Sequence, residues 1–256
     1  MLAQSIRTAL ICALVGWAPW NGFGQQLEQV VLQALEYSNL PPNQRNRDLA
    51  VEKILTILPQ IQDVPTLQGL TLRVARLYGQ SFDHDKEKPD HRAAREFYEK
   101  TLALNGVYSL ELISARMELA DLLSLGKDHA KLFELYKEVI SVDPQKIVDA
   151  EISPEQLKRI AELQPREKAG GMKENSPEHR VIVQNRLQQA AHGILGRYRT
   201  YRRVSIENFL HQVQTDQGLE GLKKLAGEYE KDEEFMKILN RKIAAASVQQ
   251  WDERLH

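Results

Sequence analysis

Two sets of apolar residues, 45 positions apart, have identical spacing and constrain the fold of this chain more than any other feature. The first set is Leu67, Leu70, Val74, Leu77 and Tyr78, and the second is Leu112, Ala115, Leu119, Leu122 and Leu123. The shared spacing of i, i+3, i+7, i+10 and i+11 places all members of a set on one face of a helix. Because an apolar helix face must be covered by another element, each set predicts a helix that packs into a core.

The helices that follow these two sets also match each other, so the repeating unit is a pair of helices. The shared positions are Ala94, Phe97, Tyr98, Thr101 and Leu102 in the first unit and Leu132, Leu135, Tyr136, Val139 and Ile140 in the second. An upstream pair, Leu27 to Tyr37 and Ala50 to Leu58, repeats the arrangement less faithfully. A two-helix unit that recurs every ~40 residues is typical of a helical solenoid. We therefore predict an all-α fold of about ten helices.

The second unit contains a series of residues in the order of a known helical repeat. They are Leu119, Ala120 and Leu123 in the first helix, Gly126 near the turn, Tyr136 and Val139 in the second helix, and Asp143-Pro144 at the end. In this order residues 109–144 resemble a tetratricopeptide repeat (TPR), and residues 67–104 resemble it less closely. Leu132 and Arg116 depart from the family pattern. The resemblance implies a TPR-like helical hairpin solenoid over residues 25–150, with a concave surface that binds a protein or peptide.

The remainder of the chain is predicted to be helical but irregular. In residues 151–176, Ser153 precedes Pro154 and Gln156 in the order of a helix cap, and a linker with paired glycines follows from Gln164 to Ser176. Residues 177–256 form the predicted C-terminal helical region. Its helices are expected from Pro177 toward Arg203 and near Ile206–Val213, Leu219–Tyr229 and Glu233–Trp251.

The first 24 residues have the order of regions found in a secretory signal. Arg7 precedes an uncharged apolar run, Thr8 to Trp20, and Gly22 and Gly24 place small residues before a cleavage site. We therefore predict a signal peptide over residues 1–24 and export to the periplasm or secretion. The alternative is an uncleaved signal, which would be the route by which this chain contacts a membrane.

Composition and motifs favour a non-enzymatic protein. The 34 basic and 35 acidic side chains are nearly balanced, which argues against a nucleic-acid binder held by bulk charge. The single cysteine, Cys12, lies within the predicted signal, so no cysteine nucleophile is expected in the mature chain. The sequence contains neither a phosphate-binding glycine loop nor a G-x-S-x-G motif. We predict no cofactor and a binding or scaffold role rather than catalysis.

The alternative is a metal-dependent enzyme or metal-binding protein that uses the loop of residues 83–91. This loop is a seven-residue insertion relative to the second hairpin. The candidate ligands are Asp83, His84, Asp85 and His91. The same loop carries lysines and lacks the spacing of known metal motifs, so the favoured interpretation is a solvated loop in which Asp90 caps the next helix.

A second segment interleaves cations and aromatic rings. Its residues are Arg197, Tyr198, Arg199, Tyr201, Arg202 and Arg203. Arginines that pair with phosphates beside tyrosines that stack on bases are typical of single-stranded nucleic-acid binding. However, residues 177–256 contain 13 basic and 11 acidic side chains, and an exported protein would seldom meet nucleic acid. An acidic partner surface or a solvated helix end therefore remains the preferred interpretation, with no nucleic acid as partner.

The resemblance to TPR proteins also points to a binding groove lined by the first helix of each hairpin. The polar or adaptable residues away from the apolar faces of these helices are Arg73, Arg76, Arg116, Met117 and Asp121. The arginines are suited to an acidic segment of a partner because a guanidinium group binds a carboxylate through two parallel hydrogen bonds. The alternative is a set of ordinary exposed charges on helix surfaces.

Overall fold

The computed structural model describes residues 47–79, 88–104, 109–126, 128–162 and 170–255, together with residues 36, 164 and 167. Within these ranges every regular element is helical and no strand is present, which confirms the all-α prediction. The helices are α1 Arg47–Ile57, α2 Val64–Gly79, α3 His91–Ala103, α4 Leu110–Gly126, α5 His129–Ser141, α6 Pro144–Glu151, α7 Pro154–Ala161, α8 Pro177–Glu228 and α9 Glu233–Leu255. The signal segment 1–24 and, apart from Glu36, the predicted helix Leu27 to Tyr37 lie outside the described residues.

Helices α2 to α5 pack in chain order, each against the next. Only two residues join α4 to α5, so the chain must reverse between them as in a helical hairpin. All members of the four predicted apolar sets are buried or half-buried. Leu72 and Ala75 of α2 share one core cluster with Leu119 and Leu123 of α4. The predicted burial of these sets is therefore confirmed, but Leu70, Val74 and Leu77 of the first set pack in a separate cluster with α1 rather than with α4.

The caps predicted from the sequence lie where helices begin. The Asp90 carboxylate accepts a hydrogen bond from the Ala93 backbone N–H at 2.9 Å at the start of α3. Ser153 and Gln156 form a reciprocal capping box at the start of α7. Asp143, expected to close the second hairpin, also accepts from the Gln145 backbone N–H at 2.9 Å and so begins α6. These local contacts satisfy N–H groups that a helix start leaves without partners.

The long helix α8 differs from the prediction. The expected end near Arg203 and the separate helix Ile206–Val213 are wrong, because α8 continues through both from Pro177. No glycine or proline lies between residues 197 and 217, so nothing in the chain interrupts the helical backbone there. The helix instead breaks at Gly218, which has φ 63° and ψ −156°. Gly218 divides α8 into a first arm before it and a second arm, residues 219–228, after it.

The C-terminal helices share a core with the hairpins. Phe209 and Leu210 of α8 and Phe235 of α9 belong to the same apolar cluster as Leu119 and Leu132 of the second hairpin. A second cluster joins α5 and α6 to the first arm of α8. The predicted division at residue 177 thus separates segments along the chain that pack together in space. Among the described helices, none is long and apolar enough to cross a membrane.

Candidate functional site

A pocket of about 320 Å³ lies where α2, α3 and α4 meet. Its lining residues are Arg76, Gly79, Tyr98, Glu118, Asp121 and Leu122. Arg76 and Asp121, which belong to the predicted groove, are therefore brought together on one surface. Gly79 ends α2, and Leu122 supplies a partly buried apolar wall. The pocket combines charged groups with an apolar side.

Arg76 is already engaged within the protein. Its Nε donates to Glu118 Oε2 at 2.9 Å and its Nη2 donates to Glu118 Oε1 at 2.8 Å, which makes a bidentate pair. Its Nη1 also donates to Glu111 Oε1 at 3.0 Å. Glu118 accepts further hydrogen bonds from the Tyr98 hydroxyl at 2.6 Å and the Ser114 hydroxyl at 2.7 Å. An acidic partner would have to displace these carboxylates to reach the Arg76 guanidinium.

This network shifts the ionisation of its members. Burial, the largest single cause, acts to raise the pKa of Glu118. The hydrogen bonds and charge of Arg76, together with the hydrogen bonds of the Tyr98 and Ser114 hydroxyls, outweigh burial, so the pKa of Glu118 is lowered. Burial would lower the pKa of Arg76, yet Glu118 and Glu111 hold it above its ordinary value. Both groups therefore remain charged at neutral pH, and the pair is a fixed part of the pocket.

Asp121 stands apart from the pair. Asp121 is exposed, and in the described part of the chain its carboxylate has no hydrogen bond and no ion pair. Partial desolvation, followed by the charge of nearby Glu118, raises the pKa of Asp121. A folded-state pKa above the unfolded value means that ionised Asp121 disfavours folding at neutral pH. With Arg76 neutralised, the remaining formal charge of the lining residues is negative, and Asp121 carries it.

The lowered pKa of Glu118 predicts a component of acid sensitivity. The unfolded chain takes up a proton at Glu118 in the ordinary range, about pH 4–5, whereas the folded chain does so only at lower pH. The stabilisation is thus complete above this range and is lost as the pH falls through it toward the folded-state pKa. We expect Glu118→Gln to flatten the decline in the free energy of unfolding between about pH 5 and 3, measured by urea denaturation.

Glu96→Gln is the matched control for this change. Glu96 lies on the exposed face of α3 and pairs with Lys100 one turn away. Its variant should keep the wild-type acid dependence. An unchanged slope in the Glu118 variant would contradict the role of this carboxylate.

The other predicted groove residues do not line the pocket. Arg116 donates from Nε to Glu138 Oε2 on α5 at 2.7 Å and from Nη1 to the Leu112 carbonyl at 3.1 Å. It therefore faces the partner helix of its own hairpin rather than Arg76. Arg73 and Met117 are half-buried on α2 and α4 and are not among the lining residues. The row of three arginines expected from the sequence is not assembled on one surface.

The basic-aromatic segment is also divided in the structure. Tyr198 is 1% exposed and donates to the Val142 carbonyl at 2.9 Å, and burial, the largest cause, raises its pKa to about 12. Tyr201 packs against the same cluster. Arg202 forms ion pairs with Asp232 and Glu234. The expected alternation of accessible cations and rings is wrong, because Tyr198 and Arg202 connect the helices of the core.

The candidate metal ligands are mostly beyond the described residues. Asp83, His84 and Asp85 lie in the part of the chain that the structure does not describe. His91 is exposed in the first turn of α3. In the described ranges, no group of three or more histidine, cysteine, aspartate or glutamate residues has the arrangement of a metal site. The metal hypothesis therefore remains a prediction from the sequence.

Glu118 is the site residue that sequence reasoning missed, although the repeat contains a signal for it. The offset of 45 residues makes Glu118 the equivalent of Arg73 and makes Asp121 the equivalent of Arg76. The two hairpins thus carry charges of opposite sign at equivalent positions off the apolar faces. Opposite charges at repeated positions indicate that neighbouring units are able to pair, although the pair that forms, Arg76 with Glu118, joins positions that are not equivalent.

No protein-family model matches this chain, and comparison with curated proteins and with solved structures also finds no match.

Proposed function

We propose that this protein is an exported, non-enzymatic binding or scaffold module whose TPR-like hairpins hold a partner protein or peptide. Export rests on the pattern of residues 1–24, and the TPR-like architecture rests on the repeated faces of α2 to α5. The pocket of Arg76 and Asp121 is the proposed binding site. The single observation that supports it most is Asp121, whose carboxylate has no partner in the described residues and lies beside Glu118 in a pocket.

The charges of this pocket favour a basic side chain of the partner over an acidic one. Arg76 is neutralised by two glutamates, whereas Asp121 raises the negative charge beside Glu118. A lysine or arginine side chain would place its cation near Asp121 and its methylene stem against Leu122 and Gly79. Ionised Asp121 disfavours folding and would become favourable in such a complex, as is common for residues kept for binding.

Selection from a random peptide library tests this proposal. Peptides are selected on the wild-type protein and counter-selected on the Asp121→Asn variant, and the survivors are sequenced and titrated. We expect enrichment in lysine or arginine, with affinities that fall about twofold to fivefold in Asp121→Asn, as for the loss of an ion pair at an exposed carboxylate, up to about 1 kcal/mol. We also expect Asp121→Asn to leave stability unchanged or to raise it, because the ionised form is disfavoured in the fold.

Glu52→Gln provides a control with the same change in charge. Glu52 is exposed on α1 and does not line the pocket. Its variant should bind the selected peptides with wild-type affinity. Enrichment in aspartate and glutamate would overturn the assigned charge of the partner, and the absence of any selected peptide would contradict a binding role for the pocket.

A further inference from the structure

The first arm of α8 contains a long run with basic charges alone. Between Glu178 and Glu207 the chain has no aspartate or glutamate and has six arginines. These are Arg180, Arg186, Arg197, Arg199, Arg202 and Arg203. Since the whole chain contains 34 basic and 35 acidic side chains, this concentration of one sign is local to the arm. It lies on a different set of helices from the pocket.

Three of these arginines have acidic partners within the protein. Arg186 pairs with Glu167 and also donates to the Ile160 and Glu162 carbonyls at the end of α7. Arg202 pairs with Asp232 and Glu234 at the start of α9, and Arg203 pairs with Glu207 at 3.0 Å. Arg197 and Arg199 are exposed, and neither has a hydrogen bond or ion pair in the described ranges. Their charges are therefore available to a partner.

Arg197 and Arg199 belong to one continuous exposed side of the helix. Residues on this side are His192, Gly193, Gly196, Arg197, Arg199, Thr200, Arg203 and Val204, all exposed. The opposite side, with Ile194, Tyr198 and Ser205, is buried. At 1.5 Å per residue, the exposed side from His192 to Val204 is about 18 Å long. Its length equals about three helical turns, which is enough for a second helix to lie along it.

Two glycines leave the N-terminal part of this side open. A Cβ atom built on Gly193 or Gly196 would have no atom within 4 Å outside the adjacent backbone of its own helix. A neighbouring backbone is therefore able to approach α8 closely at this point, and Arg197 and Arg199 follow Gly196 within one helical turn. No described helix of the chain covers the surface.

We propose that this side of α8 docks an acidic helical segment of a partner protein, whose carboxylates pair with Arg197 and Arg199. Arginine suits the contact because its planar guanidinium group binds a carboxylate through two hydrogen bonds. Because the run has no acidic side chains, it does not repel the carboxylates of the docked segment. The attraction between these carboxylates and the arginines orients the segment. This surface takes a partner of opposite charge to the one proposed for the pocket, so the two contacts are independent.

Fluorescence anisotropy with a labelled peptide tests the proposal on the full chain. The probe is an alanine-based helical peptide with glutamates at i, i+4, i+7 and i+11, and its comparison peptide has the same composition with the glutamates spread around the helix. We expect the peptide with its glutamates on one face to bind at least fivefold more tightly than the comparison peptide. The double variant Arg197→Gln and Arg199→Gln should weaken its binding by about fivefold to tenfold at low salt, as for two exposed ion pairs.

The double variant Lys224→Gln and Lys237→Gln is the matched control. These exposed lysines lie on the second arm of α8 and on α9, so the net charge changes equally while the proposed surface stays intact. Binding within twofold of wild type is expected, and circular dichroism should show both double variants folded. Equal losses in the two double variants, or equal binding of the two peptides, would overturn the proposal. So would tighter, arginine-dependent binding to vesicles of phosphatidylcholine and phosphatidylserine or to a single-stranded oligonucleotide.

Discussion

Replacing Phe209 by alanine is expected to lower the free energy of unfolding by about 3–5 kcal/mol, one of the two largest effects we foresee. Phe209 is 2% exposed in α8. Its ring lies 5.5 Å from that of Phe133 on α5 and 6.2 Å from that of Phe235 on α9, measured between centroids. Removal of the ring would leave a cavity among three helices that cannot collapse independently. Urea denaturation followed by circular dichroism measures the change.

Val204→Ala is the control for this prediction. Val204 lies in the same helix but is 37% exposed, so its replacement should change stability by no more than about 0.5 kcal/mol. Because the hairpins and the C-terminal helices share a core, we also expect a single cooperative transition. The contradicting result would be two separate transitions, with Phe209→Ala shifting only the transition of the C-terminal helices. It would show that residues 177–256 fold independently.

Replacing Gly218 by alanine is the second change with a large expected effect, about 1–3 kcal/mol of lost stability. Gly218 has φ 63° and ψ −156°, a backbone conformation that is almost restricted to glycine. An added Cβ would meet no atom within 4 Å, so the loss would come from backbone strain alone. Gly221, three residues later, is required for space rather than for backbone conformation. A Cβ atom built on Gly221 would lie 2.4 Å from the Cβ atom of Gln217 on the other side of the break, which is too close.

Gly227→Ala distinguishes this strain from the general effect of replacing glycine in a helix. Gly227 lies in the second arm of α8 and also has no atom within 4 Å of a built Cβ. Alanine there should raise stability by up to about 1 kcal/mol, because alanine favours the helix. The free energy of unfolding from chemical denaturation compares the two variants. A Gly218→Ala variant as stable as the wild type would contradict the claim that the break in α8 requires glycine.

The packing faces of α2 to α5 could be predicted from the sequence because periodicity along a helix directly reflects burial. The starts of α3 and α7 could be predicted for a similar reason, since their caps involve residues at most three positions apart. Side-chain partners that are distant in the chain could not be predicted in this way. Arg76 and Arg116 both lie off the apolar faces, yet one meets Glu118 and the other meets Glu138.

The burial of Tyr198 follows from the same helical periodicity. Ile194, Tyr198 and Ser205 share one face of α8 and are all buried, whereas the neighbouring Arg197 and Arg199 lie on the exposed side. The length of α8 shows a different limit. The sequence predicted a helix that ends near Arg203 and a new one near Ile206–Val213, but the backbone of α8 is interrupted only where glycine adopts a positive φ, at Gly218.

Carbon-13 NMR of the Asp121 side-chain carboxyl tests whether this residue receives a basic group of a partner. The titration is recorded for the free protein and for the protein saturated with a lysine-containing peptide from the selection. We expect a pKa above the ordinary value for an aspartate in the free protein and a clear decrease in the complex, because a nearby cation favours the ionised form. An identical pKa of Asp121 in both titrations would show that no cation of the partner binds beside this carboxylate.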